Sequence, residues 1–170
     1  MAAAQKSRLK QNKNWLDWYD SIVFAAVAII LLFTFVARNI RVDGHSMDPT
    51  LSDGQRMFIS SLPYTPSYGD IVVIDQYTIH GQPLVKRVIG MGGDTIDIDF
   101  EAGVVYRNGE SLEEPYTAEP TYLWEGVEFP VTVPDGCIFV MGDNRNNSSD
   151  SRDPGIGCID VRNVLGKKLF

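Results

Sequence analysis

The chain has 170 residues, 44% of them hydrophobic, with 15 Lys/Arg against 22 Asp/Glu and a formal net charge of −7. That length supports one globular domain, or one modest domain beside a membrane segment. Beyond residue 38 the balance shifts to 10 Lys/Arg against 20 Asp/Glu, which excludes nucleic acid as a partner of that part, since phosphate binding needs a basic face, and makes any lipid contact there apolar and local.

The first predicted element is apolar. Residues 21–37, SIVFAAVAIILLFTFVA, carry no charge over 17 positions; as a helix they would extend roughly 25 Å, slightly less than a hydrocarbon core. Trp15, Trp18 and Tyr19 precede the run, where interfacial aromatics sit, and Lys6, Arg8, Lys10 and Lys13 keep the N-terminus cytoplasmic by the positive-inside rule. A cleavable signal peptide would have a shorter apolar core ending in a small-x-small site, and Phe35-Val36-Ala37 puts an aromatic where a small residue is needed. A buried core helix would show a polar stripe, which this run lacks. The expected organisation is a cytoplasmic tail over 1–20, a transmembrane anchor over 21–37 and an extracytoplasmic domain over 38–170.

Past the anchor the periodicity is that of strands. Short apolar runs occupy 71–74 and 84–89, the second interrupted by Lys86 and Arg87. Residues 95–100 alternate, with Ile96, Ile98 and Phe100 on one face and Asp97 and Asp99 on the other. Residues 104–106 run into Asn108-Gly109, the favoured pair for a two-residue hairpin turn, and 131–133 and 137–141 add two strands. Nine prolines and fifteen glycines punctuate these runs, and no amphipathic stretch of three helical turns follows residue 37. The fold class expected is mainly β, with antiparallel sheets in a sandwich or irregular barrel. Residues 110–128 are acidic and poorly patterned, and read as a surface excursion. Cys137 and Cys158 read as two small buried hydrophobes, although an oxidising compartment would permit a disulfide.

Candidate chemistry begins at Ser46, nine residues after the apolar run ends, where the chain would leave a bilayer. A serine hydroxyl attacks a carbonyl only if a base takes its proton. Of the two histidines, His45 adjoins Ser46 and in an extended segment points away from it; His80 lies in a polar turn and reads as a solvated loop residue. Lys86 is the other candidate base. It stands inside an apolar run, where Lys86 and Arg87 project to opposite faces of a strand. A lysine acts as a base only when neutral, and burial lowers its pKa from about 10.4 by up to several units. The alternative is a strand lysine reaching out to water. The block from Gly142 to Arg152 is dense in backbone-binding polar groups. It is not an EF-hand loop, because Arg145 occupies a ligand position and the required glycine is missing. A serine and an Asp/Arg pair there could hold another polar side chain in place.

Together the blocks resemble a known family, the type I signal peptidases, membrane-bound serine proteases with a Ser/Lys dyad. The matching motifs are Gly44-x-Ser46-Met47-x-Pro49-Thr50-Leu51, Gly69-Asp70-Ile71-Val72, Lys86-Arg87-Val88-Ile89-Gly90 with Gly93-Asp94, and Gly142-Asp143-Asn144-Arg145 through Asp150-Ser151-Arg152. The resemblance covers nearly the whole chain and is to the compact, one-anchor Gram-positive form. It implies Ser46 as nucleophile, Lys86 as general base and Ser148 as the hydroxyl orienting the amine, braced by Arg87 with Asp143 and by Asp150 with Arg152. It further implies an oxyanion donor at the Ser46 N–H and substrate added as a strand between 40–43 and 83–86. Val42, Met47, Leu51, Leu84 and Val85 would line a pocket for alanine-sized side chains, giving cleavage after Ala-x-Ala-like sites. The implied partners are signal-peptide-bearing preproteins and the lipid bilayer of the cell membrane, for a monomer near the export channel, with no cofactor and no metal. Some members supply a second oxyanion donor from a serine at the position of Gly44, and Gly92 stands where a proline is common.

Two other readings fit the sequence less well. A self-cleaving repressor shares the dyad but needs a DNA-binding module, and an inactive tethered adaptor would not require Ser46, Lys86 and Ser148 together. The eukaryotic and archaeal signal peptidases use histidine at the base position, so Lys86 points to the bacterial form.

Overall fold

The computed structural model describes residues 2–60, 62–75 and 81–169; His80 lies outside the described residues. The chain divides into two compact units, Met1–Arg38 and Asn39–Phe170.

The first unit is one helix, α1 (Ala2–Phe35). It starts well before the expected anchor because residues 2–20 are rich in Ala, Lys, Gln and Leu and contain neither Gly nor Pro. Within it, Trp15–Thr34 is a 20-residue stretch long and apolar enough to cross a membrane, with none of its surface buried. The two polar side chains inside the apolar run, Ser21 and Thr34, donate to the carbonyls of Asp17 and Ile30 one turn back, so neither exposes an unpaired hydroxyl proton. The helix ends at Phe35, two residues before the apolar run does.

The second unit is mainly β, in antiparallel curled sheets. Its strands are β1 (Ala37–Arg41, whose first two residues belong to the first unit), β2 (Arg56–Ser60), β3 (Ile71–Ile74), β4 (Leu84–Met91), β5 (Thr95–Asp99), β6 (Val104–Arg107), β7 (Glu110–Ser111), β8 (Val131–Thr132), β9 (Cys137–Met141), β10 (Ile159–Asp160) and β11 (Val164–Lys168). A seven-stranded sheet has the order β1-β2-β11-β3-β4-β9-β10 and a four-stranded sheet the order β7-β6-β5-β8. The predicted strands at 71–74, 84–89, 95–100, 104–106, 131–133 and 137–141 all form, within two residues at their ends. β5 buries Ile96 and Ile98 and exposes Asp97 and Asp99, as its alternation requires. Pairing of Arg107 with Glu110 leaves Asn108-Gly109 as the two-residue hairpin turn. β1, β2, β7, β10 and β11 lie outside the predicted runs: ARNIR and RMFIS alternate charge with bulk too weakly to stand out, β7 and β10 are two residues each, and VLGKK ends in two lysines.

Three apolar clusters hold these sheets. Ile89, Phe139 and Met141 of the larger sheet pack with Ile96, Ile98 and Val105 of the smaller, joining the two; Cys137 and Cys158, both free thiols, are half-buried against that cluster. Val72, Ile74, Val88, Ile138 and Val140 form a second cluster. The third gathers Met57, Ile59, Ile71 and Val73 with Val42, Met47 and Leu51 from the loop that carries Ser46. Each fully buried side chain of this kind contributes about 1.5–3 kcal/mol, so the Ser46 loop is fixed from beneath by apolar packing.

Candidate active site

Ser46 lies in the turn-rich segment after β1, with the buried Val42 before it and Met47 and Leu51 after it. Gly44 has φ +90°, a conformation that a serine would adopt only under strain, and its N–H donates to Asp53 Oδ1 at 2.9 Å. That contact is the largest cause holding the Asp53 carboxyl below its ordinary value. His45 turns away as expected, its ring nitrogen 2.9 Å from Asp48 Oδ2 on an exposed side chain. From the other side the loop after β9 grips the same turn: the Asn144 N–H donates to the Ser46 carbonyl and the Asn144 side-chain amide to the His45 carbonyl, each at 3.0 Å. Among the described residues the Ser46 N–H has no acceptor.

Lys86 enters from β4. Its side chain is buried, at 2% exposure, and Nζ donates to Ser46 Oγ at 2.7 Å. Burial pushes the amine down from 10.5 to about 8, with the Asp150, Glu125 and Asp143 carboxylates opposing and the Arg152 guanidinium assisting. A strand lysine reaching for water is therefore not what this chain makes. The neighbouring Arg87 makes wholly different contacts, donating to both oxygens of the fully buried Asp143 at 2.7 and 2.6 Å and to the Gly69 carbonyl at 2.9 Å.

Asp150 organises the rest. Its Oδ2 accepts from the Gly142 N–H at 2.9 Å, from Ser148 Oγ at 2.8 Å and from Arg152 Nη2 at 2.8 Å, while Oδ1 accepts from Arg152 Nε at 2.8 Å. Both members of this ion pair are 0% exposed. A buried charge pair persists only when its remaining polar atoms are matched, and with the Arg152 N–H, which also donates to Oδ1, five donors meet one carboxylate. Gly142 has no room for a side chain: a Cβ there would collide with Ser148 Oγ and with the Ser46 carbonyl oxygen. Gly142 is thus the point at which the Ser148 loop and the Ser46 turn touch.

The structure brings together Ser46 with Lys86, Arg87 with Asp143, and Ser148 with Asp150 and Arg152. Among the described residues, Ser148 and Lys86 are not hydrogen-bonded to each other. Of the five apolar residues expected in one pocket, Val42, Met47, Leu51 and Val85 share a cluster, whereas Leu84 packs with Val72, Ile74 and Val88. The period of two along β4 separates the adjacent Leu84 and Val85.

Residues 110–128 are tied down more firmly than their composition suggested. Arg145, buried in the loop after β9, donates to both Glu114 oxygens and to the buried Thr121 hydroxyl. Tyr116 donates to Glu114 and lies under the Arg87 guanidinium, 3.9 Å from ring centroid to Cζ; burial holds its phenol neutral. Glu114, Tyr116 and Glu125 escaped sequence reasoning because the arginines they meet lie tens of residues away.

Comparison with known proteins shows the family of the chain. Residues 15–170 match the family described as Signal peptidase, peptidase S26. The chain is 40% identical to the signal peptidase I of Bacillus licheniformis, over 98% of its own length and 92% of that protein. It is 36% identical to signal peptidase I S of Bacillus subtilis (strain 168), over 98% and 93%. A crystal structure of a signal peptidase I from Enterococcus faecalis V583 matches with 31% identity and a TM-score of 0.50, covering 61% of this chain and 97% of that one. With its Ser46–Lys86 contact on a curled antiparallel β unit and these relatives along almost its full length, the chain belongs to the signal peptidase family, peptidase S26.

Proposed function

We propose that this chain is a membrane-anchored signal peptidase I that cuts exported preproteins after Ala-x-Ala-like sites, with Ser46 as nucleophile and Lys86 as general base. The observation that carries the reading is the 2.7 Å contact between Lys86 Nζ and Ser46 Oγ, made by a lysine whose burial lowers its pKa to about 8. With the amine neutral, the same contact passes the hydroxyl proton to nitrogen as Oγ attacks the scissile carbonyl carbon. Negative charge then develops on the carbonyl oxygen, for which the unengaged Ser46 N–H is the donor at hand. The lysine ammonium returns its proton to the departing amine, leaving an acyl-enzyme on Ser46. Water, deprotonated by the same amine, attacks the ester and frees Ser46.

Arg87 with Asp143 and Asp150 with Arg152 brace the pair, and Ser148 orients the amine. A hydroxyl that donates to Asp150 keeps its acceptor lone pairs, which the lysine can use without the full pKa rise that a carboxylate would cause. The open edge of β4 supports substrate binding as an added strand: pairing with β9 starts only at Arg87, so, among the described residues, 84–86 are unmatched on that side, and β1 ends the sheet order. A preprotein strand between 40–43 and 83–86 would satisfy both by main-chain hydrogen bonds. Val42, Met47, Leu51 and Val85 form the apolar floor that favours small side chains, whereas Leu84, packed into the other cluster, lies outside it. The segment 21–37, within or just beyond the span Trp15–Thr34, serves as the anchor, with residues 1–20 cytoplasmic and the β unit of 38–170 extracytoplasmic. The enzyme works as a monomer near the export channel.

The test is cleavage of an Ala-x-Ala preprotein in detergent micelles by wild type and Ser46→Ala, with the product N-terminus sequenced. Cleavage after the second alanine by wild type alone is expected. Equal cleavage by the variant, or none by folded wild type, overturns the reading.

A further inference from the structure

Beside the buried Asp150–Arg152 pair lies a second carboxyl group, Glu125, to which the mechanism above gives no part. Its side chain is 15% exposed, and its Oε2 is shut off from water with no hydrogen-bond partner among the described residues. The nearest cation is Arg152, 3.8 Å from Nε to Oε2. That guanidinium is already committed: Nε and Nη2 go to Asp150 and Nη1 to the Leu123 carbonyl. A carboxylate left half-matched in this way would normally swing to solvent. The main chain that carries it is fixed facing the pair, because Asn146 Oδ1 accepts from the Tyr122 and Leu123 N–H groups and the Val127 N–H donates to the Arg152 carbonyl. The chain is therefore pinned on both sides of Glu125, and both attachments run to the loop that carries Ser148.

Burial pushes the Glu125 carboxyl up to about 7, with Asp150 and Asp153 adding to the rise and Arg152 and the Asp150 backbone N–H opposing it. The charged groups around Lys86 are Asp150, Glu125 and Asp143, which favour its ammonium, and Arg152, which disfavours it. Asp150 and Asp143 each lie within 3 Å of an arginine partner. Glu125 is the member of this set whose charge is least neutralised and least tightly held.

We propose that Glu125 is a positioning residue that sets the pH response of the Ser46/Lys86 pair, its carboxylate keeping the proton on Lys86 to higher pH than an uncharged side chain would. This rests on the reading of Ser46 and Lys86 as nucleophile and base. Two coupled groups of opposite charge titrate more broadly than either alone. When Glu125 takes up a proton as pH falls, Lys86 loses an attracting charge and surrenders its own proton more readily. The loss of neutral amine on acidification is thereby softened, and activity falls less steeply than for an isolated lysine.

The experiment is kcat/KM for preprotein cleavage from pH 6 to 10, for wild type, Glu125→Gln and Glu125→Asp, with Ser46→Ala as the blank and melting temperatures measured alongside. Glu125→Gln is expected to move the acid limb down by about half a pH unit and to steepen it to tenfold per unit; Glu125→Asp, which keeps the charge, returns the limb toward wild type. A Glu125→Gln limb identical to wild type in position and slope, with Ser46→Ala inactive, overturns the inference and leaves the nucleophile intact. Cleavage by Ser46→Ala overturns the reading beneath it. A second readout is independent of turnover: the Lys86 titration followed by 13C NMR of labelled lysine in Ser46→Ala protein, with and without Glu125→Gln. An unmoved midpoint there also overturns the inference.

Discussion

Ser148 Oγ donates to Asp150 Oδ2 across 2.8 Å, and the same oxygen accepts from the Gly142 N–H and from Arg152. One carboxylate therefore fixes the hydroxyl expected to orient the amine, the backbone that abuts Ser46 and the buried cation. The two partners of this bond should respond differently to substitution.

Asp150→Asn leaves the buried Arg152 with only the more distant Glu125 carboxyl as counter-charge and is expected to cost about 3 kcal/mol of stability, read as a lowered urea midpoint. Ser148→Ala leaves Asp150 four other donors and costs about 1 kcal/mol, while cleavage falls by a far larger factor. A Ser148→Ala enzyme with wild-type kcat would remove the hydroxyl from the mechanism.

Lys86→Met should abolish cleavage and stabilise the fold. The lysine pKa is about 8 in the folded chain against 10.5 ordinarily, so the unfolded chain binds the proton more tightly between those values. Stability therefore rises with pH across that window and is lowest below pH 8, where an ammonium must be buried. Removing the amine recovers on the order of 2–3 kcal/mol at pH 7. The gain should shrink as pH rises toward 10.5; urea titrations at pH 7 and 10 check the sign.

Wild-type cleavage should rise with pH through about 8, as the buried amine loses its proton, and decline by up to tenfold per unit below that point. A rate independent of pH between 6.5 and 8.5, with chemistry shown to be rate-limiting, would exclude Lys86 as the base.

Gly142→Ala places a methyl group against Ser148 Oγ and the Ser46 carbonyl. A displacement of the nucleophile by about 1 Å can cost roughly 10²-fold in rate. The expected outcome is a large loss of kcat together with a lowered melting temperature, because the added methyl meets the backbone of a turn that apolar packing holds in place. Full activity in this variant would mean that the two loops yield without moving Ser46.

Much of the β unit was readable because burial imposes a period on the sequence. The Ile/Asp alternation of β5 and the Asn108-Gly109 turn are local signals, and both formed. The outer strands were not readable: β1 and β11 carry several charged or polar residues each, and their pairing is decided by what lies beside them. Leu84 illustrates the same limit. It and Val85 look alike in sequence, yet they pack into different clusters because adjacent strand positions point opposite ways.

By itself the sequence determined the apolar helix, the succession of strands and the residue types able to do the chemistry, because each is written in contiguous residues. Only the tertiary structure decided that Lys86 is buried against Ser46, 40 residues away, that Ser148 bonds to Asp150, and that Glu114, Tyr116 and Glu125 of an unpatterned segment pack around the arginines of the site. A lysine's basicity depends on the solvent and charges that surround it, and those are supplied by distant strands and loops that meet only when the sheets close.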